Sequence, residues 1–279
     1  MRPRLILGVL QGRMMKNSII AMACVLSVLH LATAGAFVEN PCRKILAEEF
    51  HNEYSGSNPR LRDRAMYAEL CSSNFQHARN IINRAQKSGI DSSLGSSYGL
   101  FSPGEGGAQS AVPSSDALFN EARFSQWKSA YCSTNSSADA SRAAEFLMQK
   151  AVAQPVASAW STCMRKREGL TCWAAPHVSQ EEEILLNINW TKTDSSPPLV
   201  QHSFLSRGAA AKFEDVPARR ILPVGYRLNT GTLQIPVTKQ TDNGITANLT
   251  VNHEGAEHSC NIFIPGERDF ALITPFVAQ

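Results

Sequence analysis

Apolar positions change their period once along this chain, and the change divides it. Ile45, Leu46, Glu49 and Phe50 place a stripe on a first helix from Cys42 to Tyr54. Asn58-Pro59 then reads as an N-cap followed by proline at the first helical position. From there Leu61, Ala65, Ala68, Cys71, Phe75, Ala78, Ile82 and Ala85 recur at three- and four-residue spacing, which predicts one helix ending at Gly89. A third helix is expected from the cap Ser115 or Asp116 through Leu118, Ala122, Phe124 and Trp127 to Cys132. A fourth starts at Asp139 or Ser141 and carries Ala144, Leu147, Met148, Ala151 and Val152. Pro155 kinks or restarts it before Ala159, Trp160 and Cys163, and Gly169 ends it.

Beyond about residue 175 the period becomes two. Ile184, Leu186, Ile188 and Trp190 share one face of a strand, as do Leu233, Ile235 and Val237 on a second. Ile245, Ala247, Leu249 and Val251 mark a third, and Cys260, Ile262 and Ile264 a fourth. Further strands are expected at 199–205, 221–228 and 270–274. Turn signals such as Asp242-Asn243-Gly244 and Asn229-Thr230-Gly231 separate them, and Pro223 and Pro236 point to sheet edges. The pattern predicts an α+β protein: an N-terminal helical region followed by a C-terminal antiparallel β-sandwich, stabilised by disulfides. The expected divisions are an export signal at 1–36, a helical region at 37–170 with a Gly/Ser-rich loop at 88–114, and the sandwich at 171–279.

The leader sets the compartment. Lys16, the apolar stretch from Ile19 to Leu31, and Ala32-Thr33-Ala34-Gly35-Ala36 follow the order of a secretory signal, cleaved after Ala34 or Ala36. Residues before Met14 fit that signal poorly, so translation is expected to start at Met14 or Met15. No later segment is long and apolar enough for a membrane-spanning helix. The expectation is a secreted or periplasmic protein. The leader holds Arg2, Arg4, Arg13 and Lys16 and no acid, so the 27 Lys and Arg against 24 Asp and Glu of the whole chain become 23 against 24 in the mature part. A balance near neutrality gives no long-range attraction to nucleic acid.

Cys42, Cys71, Cys132, Cys163, Cys172 and Cys260 remain after cleavage, an even set that reads as three bridges with 15 possible pairings. Cys163 closing on Cys172, or Cys172 reaching Cys260 across the β region, are both compatible with the spacing.

Catalytic patterns are thin. His253-Glu254-Gly255-Ala256-Glu257-His258 spaces its histidines by five, which matches neither zinc-protease helix motif. Gly255 favours a hairpin whose ends bring His253 and His258 opposite each other, weak candidates for metal ligands. Gly95-Ser96-Ser97-Tyr98-Gly99 matches a nucleophile elbow in letters but lacks the preceding strand and following helix. Glu181-Glu182-Glu183 reads as a solvated charge run, and Met164-Arg165-Lys166-Arg167 as cations complementing a helix C-terminus. No cofactor is expected. The better candidates are uncharged polar strand faces that can hydrogen-bond sugar hydroxyls: Asn187, Asn189 and Thr191 on one strand, and Thr246, Asn248, Thr250 and Asn252 on another. Asn135, Asn189 and Asn248 also begin N-x-S/T sequons.

The expected function is an exported, non-enzymatic binding protein for an extracellular or envelope ligand: a glycan, an envelope component or a protein. The alternatives are a secreted hydrolase, metal-assisted through His253 and His258, and a membrane-active or toxin-like protein.

Overall fold

The computed structural model describes residues 40–52, 58–87, 120–132, 136–177, 183–192, 196–213, 219–240 and 242–269. The export signal, the Gly/Ser-rich loop 88–114, the third-helix caps Ser115 and Asp116, Asn135 and the strand expected at 270–274 lie outside them. Six helices and then seven strands follow one another among the described residues: α1 (Arg43–Asn52), α2 (Pro59–Ser72), α3 (Phe75–Lys87), α4 (Glu121–Tyr131), α5 (Ser137–Ala151), α6 (Gln154–Arg165), β1 (Gly169–Pro176), β2 (Glu183–Thr191), β3 (Leu199–Leu205), β4 (Ala209–Ala211), β5 (Gly231–Lys239), β6 (Ile245–His253) and β7 (Ala256–Ile264). The α+β architecture and its helix-then-strand order are as expected. Residues Asn40–Gln279 form one compact unit.

Local chemistry explains where the elements differ from the apolar pattern. The long helix expected from 59 to 89 is two helices. Ser73 Oγ donates to the Glu69 carbonyl at 2.6 Å and Asn74 Oδ1 accepts from His77 N at 2.8 Å, so the chain stops and restarts while its apolar stripe continues. Ser136 caps α5, accepting from Asp139 N at 3.1 Å, a few residues earlier than expected. Proline restarts the helix: α5 ends at Ala151, and α6 carries Pro155 in its first turn. The strand β1 was not foreseen, and strand structure therefore begins at Gly169, not near 175. Conversely, 221–228 forms no strand. Ser203 Oγ accepts from the amides of Ile221 and Leu222, at 2.8 and 3.0 Å, and further along a single bridge between Leu199 and Arg227, with backbone bonds at Pro198 and Val200, ties the segment to β3.

All strand pairs are antiparallel, in two sheets ordered β1-β2-β5-β4 and β3-β6-β7. Their facing sides enclose Leu186, Ile188, Trp190, Ile235, Val237, Leu249, Val251 and Ile262. Lys212 N donates to Pro236 O on the side where Pro236 has no amide to return, and β4 ends there. The helices enclose a second core around Leu46, Ala65, Met66, Leu70, Ala144, Met148 and Trp160, which also takes in Trp173 from β1 and Phe263 from β7. Trp160 and Trp173 meet edge to face, with ring centroids 6.3 Å apart.

Three disulfides lock these layers: Cys42–Cys163 joins the start of α1 to α6, Cys71–Cys132 joins α2 to the end of α4, and Cys172–Cys260 joins β1 to β7. The pairing thus resolves the choice for Cys172 in favour of the long-range partner.

Inside the helical core sits a charge cluster. Glu69 is 0% exposed and lies 3.8 Å from Arg43 Nη2, 3.2 Å from His51 Nε2 and 3.9 Å from His77 Nε2. Arg43 also donates to Ser141 Oγ at 2.5 Å and to Ser72 Oγ at 3.3 Å. Burial alone raises the Glu69 carboxyl. The imidazoles of His51 and His77 and the guanidinium of Arg43, all within 4 Å, outweigh it and hold the group at about 2. Glu145 is the opposite case: burial raises it, despite Arg43, the amide of Asn40, Arg142 and Arg167.

Two predictions follow from these locks. Replacing Cys172 and Cys260, 88 residues apart, by alanine frees a long loop in the unfolded chain. The expected loss is about 4 kcal/mol, read by urea unfolding. The charge cluster predicts a pH signature. Glu69 is depressed from 4.5 to about 2, so its stabilisation of about 3 kcal/mol is complete above pH 4.5 and is lost as pH falls toward 2. Glu69→Gln strands Arg43 in the core and should cost about 3–5 kcal/mol at pH 7. The raised Glu145 destabilises the fold as pH climbs through its folded value, so Glu145→Gln should keep or gain stability at pH 7. Equal losses from the two substitutions would contradict the opposite signs.

Candidate functional site

The two polar strand faces picked out in the sequence meet different fates. On β2, Asn187 and Asn189 are each 2% exposed. The turn after α6, with Gly169 at φ 77°, folds the chain back so that the end of that helix lies over this face. Arg165 O, a carbonyl of the last turn, accepts from Asn189 Nδ2 and Thr191 Oγ1, both at 3.0 Å. Asn189 Oδ1 in turn accepts from Thr232 Oγ1 at 2.8 Å, and Asn187 Oδ1 from Gln234 Nε2 at 2.9 Å. The side chains are engaged internally: Asn189 and Thr191 close a helix end, and Asn187 bonds within the sheet to Gln234 and the Leu185 carbonyl. The sequon at Asn189 is buried with them.

The face of β3-β6-β7 that points away from the sandwich core is open except at one end, where Phe263, paired with Thr246, is buried in the helical core. Its middle row is Thr246, Asn248, Thr250 and Asn252, alternating with the buried Ile245, Ala247, Leu249, Val251 and His253. The β3 row stands beside it in register: Phe204 opposite Asn248, His202 opposite Thr250 and Leu199 opposite Asn252. A bulge between Val200 and His202 keeps Phe204 pointing outward while Val200, Ser203 and Leu205 stay buried. On the other flank β7 sets Asn261 against Asn248, Ser259 against Thr250 and Glu257 against Asn252. Asn248 and Asn261 are joined amide to amide. Phe204 is 40% exposed, and of the four large hydrophobics exposed among the described residues, Leu199, Phe204 and Val224 lie on β3 or on the segment bonded to its edge. The middle row was legible from its alternation. The apolar row beside it was not, because the bulge breaks the alternation of β3.

His253 and His258 lie on the opposite, inward side of the β6–β7 hairpin. Glu254 and Gly255, at φ 53° and 85°, form the two-residue turn that pairs His253 with Ala256. The histidines are therefore diagonal neighbours, not opposite each other: His258 pairs with Val251. Their ring centroids are 6.4 Å apart, and both rings pack on Trp190, at 5.0 and 5.4 Å. Among the described residues no group of three or more His, Cys, Asp or Glu is placed to hold a metal ion. Glu183 pairs with Lys212 at 2.5 Å and with His177 at 3.8 Å, while Glu181 and Glu182 lie outside the described residues. Glu69, whose carboxyl is held at about 2, is sealed from solvent and does its work inside the core.

No protein-family model matches the chain, and no curated protein does. Two solved structures share a likeness with 36% of it: the solution structure of a conjugate transposon protein (residues 27–141) from Bacteroides vulgatus, at 17% identity, 87% coverage of that chain and a TM-score of 0.26, and the GAE domain of GGA2p from Saccharomyces cerevisiae, at 12% identity, 90% coverage and a TM-score of 0.24.

Proposed function

We propose that this is a secreted or periplasmic, non-enzymatic binding protein that holds a glycan on the outer face of β3-β6-β7. The observation that carries the reading is Phe204: an aromatic ring 40% exposed, directly opposite Asn248, at the edge of a row of uncharged side chains. A sugar ring presents an apolar face of C–H groups and a rim of hydroxyls. Phe204 offers a partner for the first, and Asn248, Thr250 and Asn252 offer donors and acceptors for the second. Three disulfides fix the scaffold beneath that face, and no described helix is long and apolar enough to cross a membrane. Both features suit a protein that works outside the cytosol.

The face is assembled before any ligand arrives, because β6 pairs with a neighbour on each side and its alternate residues are anchored in the core. Little ordering is therefore needed on binding.

A panel of envelope and host polysaccharides, measured against the intact mature chain, tests the proposal. One class should bind saturably. Phe204→Ala should weaken it about tenfold, equivalent to about 1.4 kcal/mol, with the melting temperature unchanged, since the ring is outside the core. Asn248→Ala should have a comparable effect. Saturable binding that survives both substitutions, or none across the panel, would sink the assignment.

A further inference from the structure

The outer face of β3-β6-β7 has a charged margin on one side only. β3 is the outer strand of its sheet, and the segment 219–228 returns along its free edge. Leu205 N donates to Arg219 O at 2.7 Å and Val200 N to Tyr226 O at 2.9 Å, while Arg227 stands in register opposite Leu199. The return brings three arginines beside the β3 row: Arg219 and Arg220 at the Phe204 end, Arg227 at the Leu199 end. All three are exposed, and none is paired with a described carboxylate. Six residues of β3, shortened by its bulge, separate the two ends by about 17 Å. The carboxylates of the face stand on the opposite side. Glu257 on β7 pairs with Asn252, three strand spacings or about 14 Å from Arg227, and Glu254 lies in the turn beyond.

We propose that the glycan held on this face is an anionic one, with carboxylates or sulfates along the β3 edge and sugar rings over Phe204 and Leu199. The inference rests on the glycan reading above and adds the class of sugar. A guanidinium presents paired donors that match the two oxygens of a carboxylate or sulfate. Arginines at both ends of the β3 row suit a chain that repeats its charge, since a single anion reaches only one end. The carboxylates on β7 repel such a chain and keep it along β3.

Isothermal titration of the intact mature chain tests the class with matched pairs. The probes are hexagalacturonate and its methyl ester, a sulfated galactan hexamer and its desulfated form, and polyglutamate as an anion without sugar. At least one charged hexamer should bind about tenfold more tightly than its uncharged counterpart, a few-fold for each exposed arginine. Added salt should shrink that preference. Arg219→Gln, Arg220→Gln and Arg227→Gln together should abolish it without weakening the uncharged form, and Arg227→Gln alone should remove part of it. A melting curve matching the parent shows that each variant is folded. Lys166→Gln, which deletes an exposed cation at the end of α6, should leave the preference intact, and Phe204→Ala should weaken both members of a pair alike. Hexamers that bind through Phe204 with no preference for charge would overturn this inference and leave the glycan reading standing. A preference that survives the triple variant, or polyglutamate binding as tightly as the charged hexamers, would also overturn it. No binding by any hexamer or by the wider polysaccharide panel would sink both.

Discussion

The fold hinges on β1, the strand that packs against both hydrophobic cores. Leu170, Cys172 and Ala174 point into the sandwich core, and Trp173 and Ala175 point into the helical core. Eight residues thus connect two hydrophobic clusters that the chain builds separately. The connection is held on one side by the Cys172–Cys260 bridge to the neighbouring sheet, and on the other by Trp160 set edge-on against Trp173. Helix α6 precedes β1 by only a tight turn, so its position over the first sheet is dictated by chain geometry. Once it lies there, its Arg165 carbonyl faces β2 and needs donors. Asn189 and Thr191 supply them.

That dependence explains why two similar sequence patterns do opposite jobs. Asn187, Asn189 and Thr191 alternate with apolar residues in the same manner as Asn248, Thr250 and Asn252. Period two tells which residues share a face, but not what covers the face. On β2 the cover is a helix that is adjacent in sequence, and the amides are consumed internally. On β6 only the Thr246 end lies beside Phe263 of the helical core, and along the rest of the row the neighbours are Phe204, His202 and Asn261. Covering the first sheet leaves the second as the open surface.

Much of the architecture was legible in the sequence because each segment has one apolar face. The helical and strand regions, the alternation of β2, β5, β6 and β7, and the long-range candidate for Cys172 all read directly. What could not be read involves residues with two masters. Strand β1 shows no alternation because each of its sides packs against a core. The break between α2 and α3 is hidden by an apolar stripe that runs through Cys71, Phe75 and Ala78, and side-chain bonds from Ser73 and Asn74 decide it. Segment 221–228 has the composition of a strand, but the hydroxyl of Ser203 takes its amides first.

The disulfides and the buried charges are one device seen at two levels. Cys42 adjoins Arg43, and Cys71 lies two residues beyond Glu69, so the bridges to Cys163 and Cys132 fix the segments that carry the ion pair. A buried pair stabilises only if its geometry is held, because removing two charges from water costs several kcal/mol per ion. Covalent closure on both sides holds the cation and the carboxylate without asking the pair to supply the ordering itself. The helical layer therefore tolerates a polar centre and remains rigid. A rigid helical layer gives α5 a fixed place against β1 and β7, and that placement seals the edge of the sandwich. The outer face of β3-β6-β7 that is proposed to hold a glycan therefore starts out ordered, which is the condition under which modest contacts become measurable affinity.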